Sequence, residues 1–112
     1  MKKVAVSLVL ASMICLLHAT GAAADDLYEA GRKIYNSNCR VCHINRMDGD
    51  QPTPYYLRFR PPDFANPSFW TGDAEKKIAE TVRKGKPPMP SFPNLTADQI
   101  KALVYYLSHT FR

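Results

Sequence analysis

Several features are missing from this chain, and each absence excludes something. No stretch repeats at a period of 20–50 residues, which rules out a solenoid or a propeller. No segment sustains period-2 alternation, so essentially no sheet is expected. The only long apolar run, Val4 to Leu17, stops short of the ~20 residues a membrane-spanning helix needs. Charge of one sign is not in great excess: the formal net charge is +5. No basic stripe interleaved with aromatics occurs, so nucleic acid is not an expected partner. No separate constellation of catalytic acid, base and nucleophile stands out, and no enzymatic activity is expected. What is present is ordinary for one folded domain: 112 residues, 46% hydrophobic and 22% charged, which argues against disorder.

Residues 1–24 read as a secretory signal. Lys2 and Lys3 precede the apolar run, and Ala22 and Ala24 supply the small pair of a cleavage site. Residues 25–112 are then the mature domain. Its charge falls to +3 once Lys2 and Lys3 are gone. A domain that small has a marginal core and often depends on a disulfide, a metal or a cofactor.

Three helices are expected. Asp26 to Asn38 carries Leu27, Ala30, Gly31, Ile34 and Tyr35 at helical spacing, with Asp26 and Glu29 as an N-terminal cap pattern. Gly31 inside a helix costs about 1 kcal/mol against Ala, which points to close approach of another element. Asp73 to Lys84 places Ala74, Ile78, Thr81 and Val82 on one side, with Gly85 as the C-terminal cap. Thr96-Ala97-Asp98-Gln99 is a capping box, Leu95 and Ile100 a staple, and Ile100, Leu103, Val104 and Leu107 a stripe. Between them, prolines at 52, 54, 61, 62 and 67 forbid long regular structure over 44–70, apart from a short turn started by Asn66-Pro67. Pro87-Pro88-Met89-Pro90 reads as a stiff extended segment.

The chemistry concentrates at Cys39-Arg40-Val41-Cys42-His43, the C-x-x-C-H pattern of c-type haem attachment. Two thiols three residues apart lie on one turn and can each add to a haem vinyl group. The next residue then brings its imidazole under the iron. With three cysteines and three histidines in the chain, about 0.002 such matches arise by chance. Three other readings stand beside it. A thioredoxin-like redox pair would want a βαβ context; a zinc site would want a second ligand pair; a structural disulfide leaves His43 unused.

A haem takes a second axial ligand or keeps an open position. Met47 is only four residues from His43, on the same side of the ring. His109 lies about 180° around its helix from Ile100 and should face solvent. Met89 sits between prolines that narrow its conformational freedom. It is the candidate sixth ligand, with core filler as the bland alternative.

Gly31 and Tyr35 before the motif, Lys84-Gly85-Lys86-Pro87-Pro88-Met89-Pro90 after it, and Leu103 and Tyr106 near the end form an ordered set. This set resembles class I cytochrome c, most nearly small bacterial monohaem cytochromes of the c6 and cbb3-subunit type. The resemblance covers residues 26–112. It implies an all-α cytochrome c fold, with terminal helices crossing at Gly31 among Tyr35, Leu103 and Tyr106. It also implies one haem c, attached through Cys39 and Cys42, with His43 and Met89 as iron ligands. The chain departs from the family where Ile44 replaces a frequent glycine and where Thr53-Pro54-Tyr55-Tyr56-Leu57 replaces Gly-Pro-x-Leu. Pro54 is the expected carbonyl partner of His43 Nδ1. Arg58, Arg60 and Trp70 are expected partners of the haem propionates, against a core role for Trp70 and solvated surface charges for the arginines.

The resemblance implies a soluble periplasmic one-electron carrier, monomeric, with no stable membrane insertion after signal cleavage. It would dock transiently on redox proteins, with Arg40, Lys84 and Lys86 toward an acidic partner. The rival readings are a haem peroxidase or gas sensor with a labile Met ligand, and a cytochrome subunit of a membrane oxidase or dehydrogenase.

Overall fold

The structure is a computed structural model, and it describes residues 21–43 and 61–112. Residues 1–20 of the expected signal 1–24, and Met47, Pro54, Arg58 and Arg60, therefore lie outside the described residues. Helix α1 covers 21–34 and passes without a break into a π-helical turn, Tyr35–Cys39. A 3₁₀ turn, Pro67–Trp70, is followed by α2, Ala74–Lys84, and α3, Ala97–Phe111. Among the described residues the only strand-like pairing is a single bridge between Lys86 and Met89. The fold is all-α.

α1 differs from the expected helix at both ends. It is already helical at residue 21, because Gly21 is followed by three alanines and nothing there stops a helix. Asp26 is therefore not a cap. Glu29 instead pairs with Arg32 one turn on, at 2.8 Å on the exposed face, where such a pair adds little stability. At the other end, the Arg40 N–H donates to the Tyr35 carbonyl at 2.9 Å. Such i→i+5 turns inside α-helices are frequent at functional sites. Gly31, Tyr35 and Cys39 are all buried, four residues apart. On a straight α-helix that spacing would drift about 80° over the two steps. The wide turn reduces the drift and keeps Cys39 on the buried side. Ala30, expected on that side, is exposed, and Tyr28 takes its place against the core.

The 3₁₀ turn forms where Asn66-Pro67 predicts it. The Asn66 side chain accepts from the Ser68 N–H at 3.0 Å, and Pro67 occupies the first turn, where no donor is needed. α2 buries Ala74, Ile78 and Val82, with Thr81 half-buried, and ends at Gly85. Gly85 has φ +74°, and its N–H donates to the Thr81 carbonyl at 2.7 Å. A Cβ there would lie 2.8 Å from the Ser91 backbone nitrogen, so glycine is needed twice over.

The segment after Gly85 is a tight turn, not the extended stretch expected. Lys86 and Met89 exchange two backbone hydrogen bonds, of 3.0 and 2.8 Å, across a Pro87–Pro88 peptide that is cis. Two consecutive prolines restrict φ, and the return is completed by the flanking donors. The Phe92 N–H then bonds the Val82 carbonyl at 2.9 Å and ties the segment back to α2.

α3 begins as its sequence predicts. The Thr96 side chain accepts from the Gln99 N–H at 3.2 Å, and the Gln99 side chain accepts from the Thr96 N–H at 2.8 Å. The stripe Ile100, Leu103 and Leu107 is buried, with Ala102 and Tyr106 beside it and Val104 half-buried. α1 and α3 meet at Gly31. A Cβ on Gly31 would fall on the Ala102 carbonyl and lie 2.6 Å from Tyr106 Cβ. Tyr35 and Leu103 fill the centre, at 2% and 1% exposure. Tyr28 closes one side of the crossing. Its ring lies edge-on to Tyr106 at 5.0 Å, and its hydroxyl is 3.0 Å from Thr110 Oγ1.

Candidate cofactor site

The motif occupies the end of α1. The Cys42 and His43 N–H groups both donate to the Cys39 carbonyl, at 3.1 and 2.9 Å. This closes the backbone into one turn and puts both thiols on it. Neither is in a disulfide. Cys39 is buried and Cys42 half-buried. Burial, helped by the neighbouring Cys42, pushes the Cys39 thiol up to about 11. Val41, between them, is 60% exposed, an apolar side chain standing out from the turn.

His43 follows the turn and packs against the core. Its ring stacks on Phe64 at 4.8 Å, nearly parallel at 9°. Phe64 is buried and leads on to Phe69, edge-on at 5.1 Å, and to Trp70 at 6.4 Å. Burial holds the His43 pKa below its ordinary value, while the backbone of Pro62 pulls the other way. The imidazole is thus kept neutral, the form that binds a metal. Its Nδ1 is buried with no hydrogen-bond partner among the described residues. That nitrogen is the one expected to bond the Pro54 carbonyl, which lies outside the described residues. A neutral, half-buried imidazole directly after two free thiols on one turn fits a haem attachment site.

Trp70 is tied into the core beside the motif. The indole carries one donor and no acceptor, and that donor bonds the Phe64 carbonyl at 2.7 Å in a buried position. It braces the Phe64 wall behind His43 and has no donor to offer a propionate. Among the described residues the backbone of Pro62 acts on His43; Pro54 lies outside them, as do Arg58 and Arg60. Met89 is half-buried on the Lys86–Met89 turn, packed against the cluster that contains Cys39, Phe64 and Trp70. His109 faces solvent as expected, its ring stacked on Tyr105 at 3.8 Å.

Two contributors escape sequence reading. Phe64 was only one aromatic in a proline-rich stretch, and nothing local marks it as the partner of His43. Tyr35 donates its hydroxyl to the His43 carbonyl, an i→i+8 contact across the π turn that no spacing rule marks. Among the described residues, no three His, Cys, Asp or Glu side chains gather as a metal site, so the zinc alternative finds no ligand set there. A cleft lined by Trp70, Gly72, Asp73, Lys76 and Arg112 opens at the start of α2. None of its walls belongs to the motif.

No curated protein and no solved structure matches the chain. One family model does, that of cytochrome c oxidase, cbb3-type, subunit III, over residues 26–107. The match begins within α1, spans the Cys39–His43 turn and the Met89 turn, and ends on α3. The fold, the motif and this match agree, and the chain belongs to the cytochrome c oxidase, cbb3-type, subunit III family of c-type cytochrome domains.

Proposed function

We propose that this protein is an exported one-electron carrier that holds a single haem c. Cys39 and Cys42 would carry the haem by thioether bonds, and His43 and Met89 would be its axial ligands. A haem bound there supplies the one-electron iron couple. The chain's own residues do the rest. The Cys39 carbonyl gathers the backbone of the motif into one turn, and Phe64, braced by Trp70, fixes the plane of the His43 ring. The Lys86–Met89 turn carries a thioether on a backbone pinned by three hydrogen bonds, which suits a weak ligand that gains from preorganisation. Held by His43 and Met89, the haem would have a raised potential and little room for added ligands, which disfavours the peroxidase or gas-sensor reading. The observation that carries the proposal is the single turn bearing two free thiols, followed by an imidazole stacked on Phe64.

The leader-like segment 1–24 supports export to the periplasm. Arg40, Lys84 and Lys86 are exposed around the motif and the Met89 turn. They suit brief, electrostatically steered docking on acidic redox partners by a monomeric carrier with no role for nucleic acid. The family match favours a second reading, a cytochrome subunit fixed in a membrane oxidase. Among the described residues no helix is long and apolar enough to cross a membrane. Expression with its leader and fractionation distinguishes the two. Haem-bearing protein in the periplasmic fraction supports the carrier, and co-purification with a membrane oxidase supports the subunit.

A further inference from the structure

The buried Tyr35 hydroxyl is not accounted for by core packing. Tyr35 is 2% exposed, wedged against Tyr106 and Phe111 of α3 at ring distances of 5.4 and 5.8 Å. A phenylalanine would fill that space as well. The hydroxyl nevertheless reaches the His43 carbonyl. The His43 N–H is already held by the Cys39 carbonyl at 2.9 Å. Both polar groups of the His43 backbone are therefore clamped from the π turn, one by Cys39 and one by Tyr35.

We propose that Tyr35 is a positioning residue for the iron ligand, coupling the α1–α3 crossing to the orientation of His43. This rests on the haem reading above. Tyr35 acts through the peptide that carries the imidazole. The positive end of its O–H dipole points toward the His43 carbonyl, on the residue that would hold the iron. That dipole favours the less positive, reduced state, and its removal lowers the potential. Losing the bond also frees the His43 peptide to rotate, which broadens the orientation of the ligand.

Tyr28 provides the internal control. It lies on the same crossing, contacts the same Tyr106, and its hydroxyl is bonded to Thr110, away from the motif. The experiment compares the haem-loaded wild type with Tyr35→Phe and Tyr28→Phe by ferric electron paramagnetic resonance and by redox titration. Tyr35→Phe is expected to raise the oxidised-to-reduced ratio about threefold at a fixed ambient potential. At 59 mV per tenfold for one electron this is a fall of about 30 mV. It should also broaden the low-spin resonance. Tyr28→Phe should match the wild type in both. Equal behaviour of the two variants would overturn the assignment and leave Tyr35 as core packing. A wild type that carries no haem would overturn the haem reading and this inference with it.

Discussion

Gly31 of α1 and Ala102 of α3 approach so closely that no side chain fits between them. A Cβ on Gly31 would clash with the Ala102 carbonyl and press on Tyr106 Cβ at 2.6 Å. Both obstacles belong to rigid parts of α3, so neither can swing aside. This contact sets the crossing of the two terminal helices, and with it the place where Tyr35, and through it the Cys39–His43 turn, enters the core.

Gly31→Ala gains helix propensity and loses the crossing. The gain is about 1 kcal/mol at most, while overpacking against backbone typically costs about 1–3 kcal/mol and here must force the helices apart. A net loss of about 2 kcal/mol corresponds to a midpoint about 10 °C lower for a domain this size. Thermal unfolding followed by circular dichroism measures it. An unchanged midpoint would mean that the helices do not meet at this glycine.

Local patterns made much of this legible. The capping box at Thr96 and Gln99, the stop at Gly85, the turn at Asn66-Pro67 and the small residue at Gly31 each depend on a few neighbours in sequence, and each stands where expected. What escaped depends on distant partners or on competition between local signals. The π turn at Tyr35–Cys39 answers a need to keep Cys39 buried, which periodicity alone does not register. The Pro87–Pro88 turn was read as extended because proline fixes φ but does not dictate where the chain folds back. Phe64 stacks on His43 across 21 positions, and no spacing rule pairs them.

The Cys39 thiol gives a pH signature to the haem-free chain. Burial raises it from 9.0 to about 11. Between those values the unfolded chain loses its proton first, so the unfolded state binds fewer protons and stability falls as pH rises. Folded haem-free protein should weaken progressively from about pH 9 to about pH 11 in urea titrations. At pH 8 about one in a thousand Cys39 thiols is ionised, so alkylation at Cys39 should be slow and should accelerate about 100-fold on unfolding. On the proposed reading, attached haem converts the thiol to a thioether, and the Cys39 contribution to this pH dependence disappears.

Met89→Ala separates the ligand role from core filling. Haem should remain attached, the Met-to-iron charge-transfer band should vanish, and the reduced iron should bind carbon monoxide readily. An unchanged spectrum with no carbon monoxide binding would remove Met89 from the iron. The Lys86–Met89 turn rests on backbone bonds, so it should survive the change.

Replacing Cys39 and Cys42 together by alanine tests how far the core depends on the cofactor. Covalent haem should be lost, and the thermal midpoint should fall well below that of the haem-loaded protein, because three short helices cover their own apolar faces poorly. A midpoint equal to that of the haem-loaded protein would show that the aromatic cluster around Phe64 and Trp70 suffices.

The most direct test of the central claim is the intact mass of the exported protein, read together with its oxidised and reduced absorption spectra. The account predicts a polypeptide beginning at residue 25, heavier by one haem, with the sharp reduced bands of a low-spin c-type cytochrome and a Met-to-iron band when oxidised. A compact, colourless polypeptide of unmodified mass would contradict it.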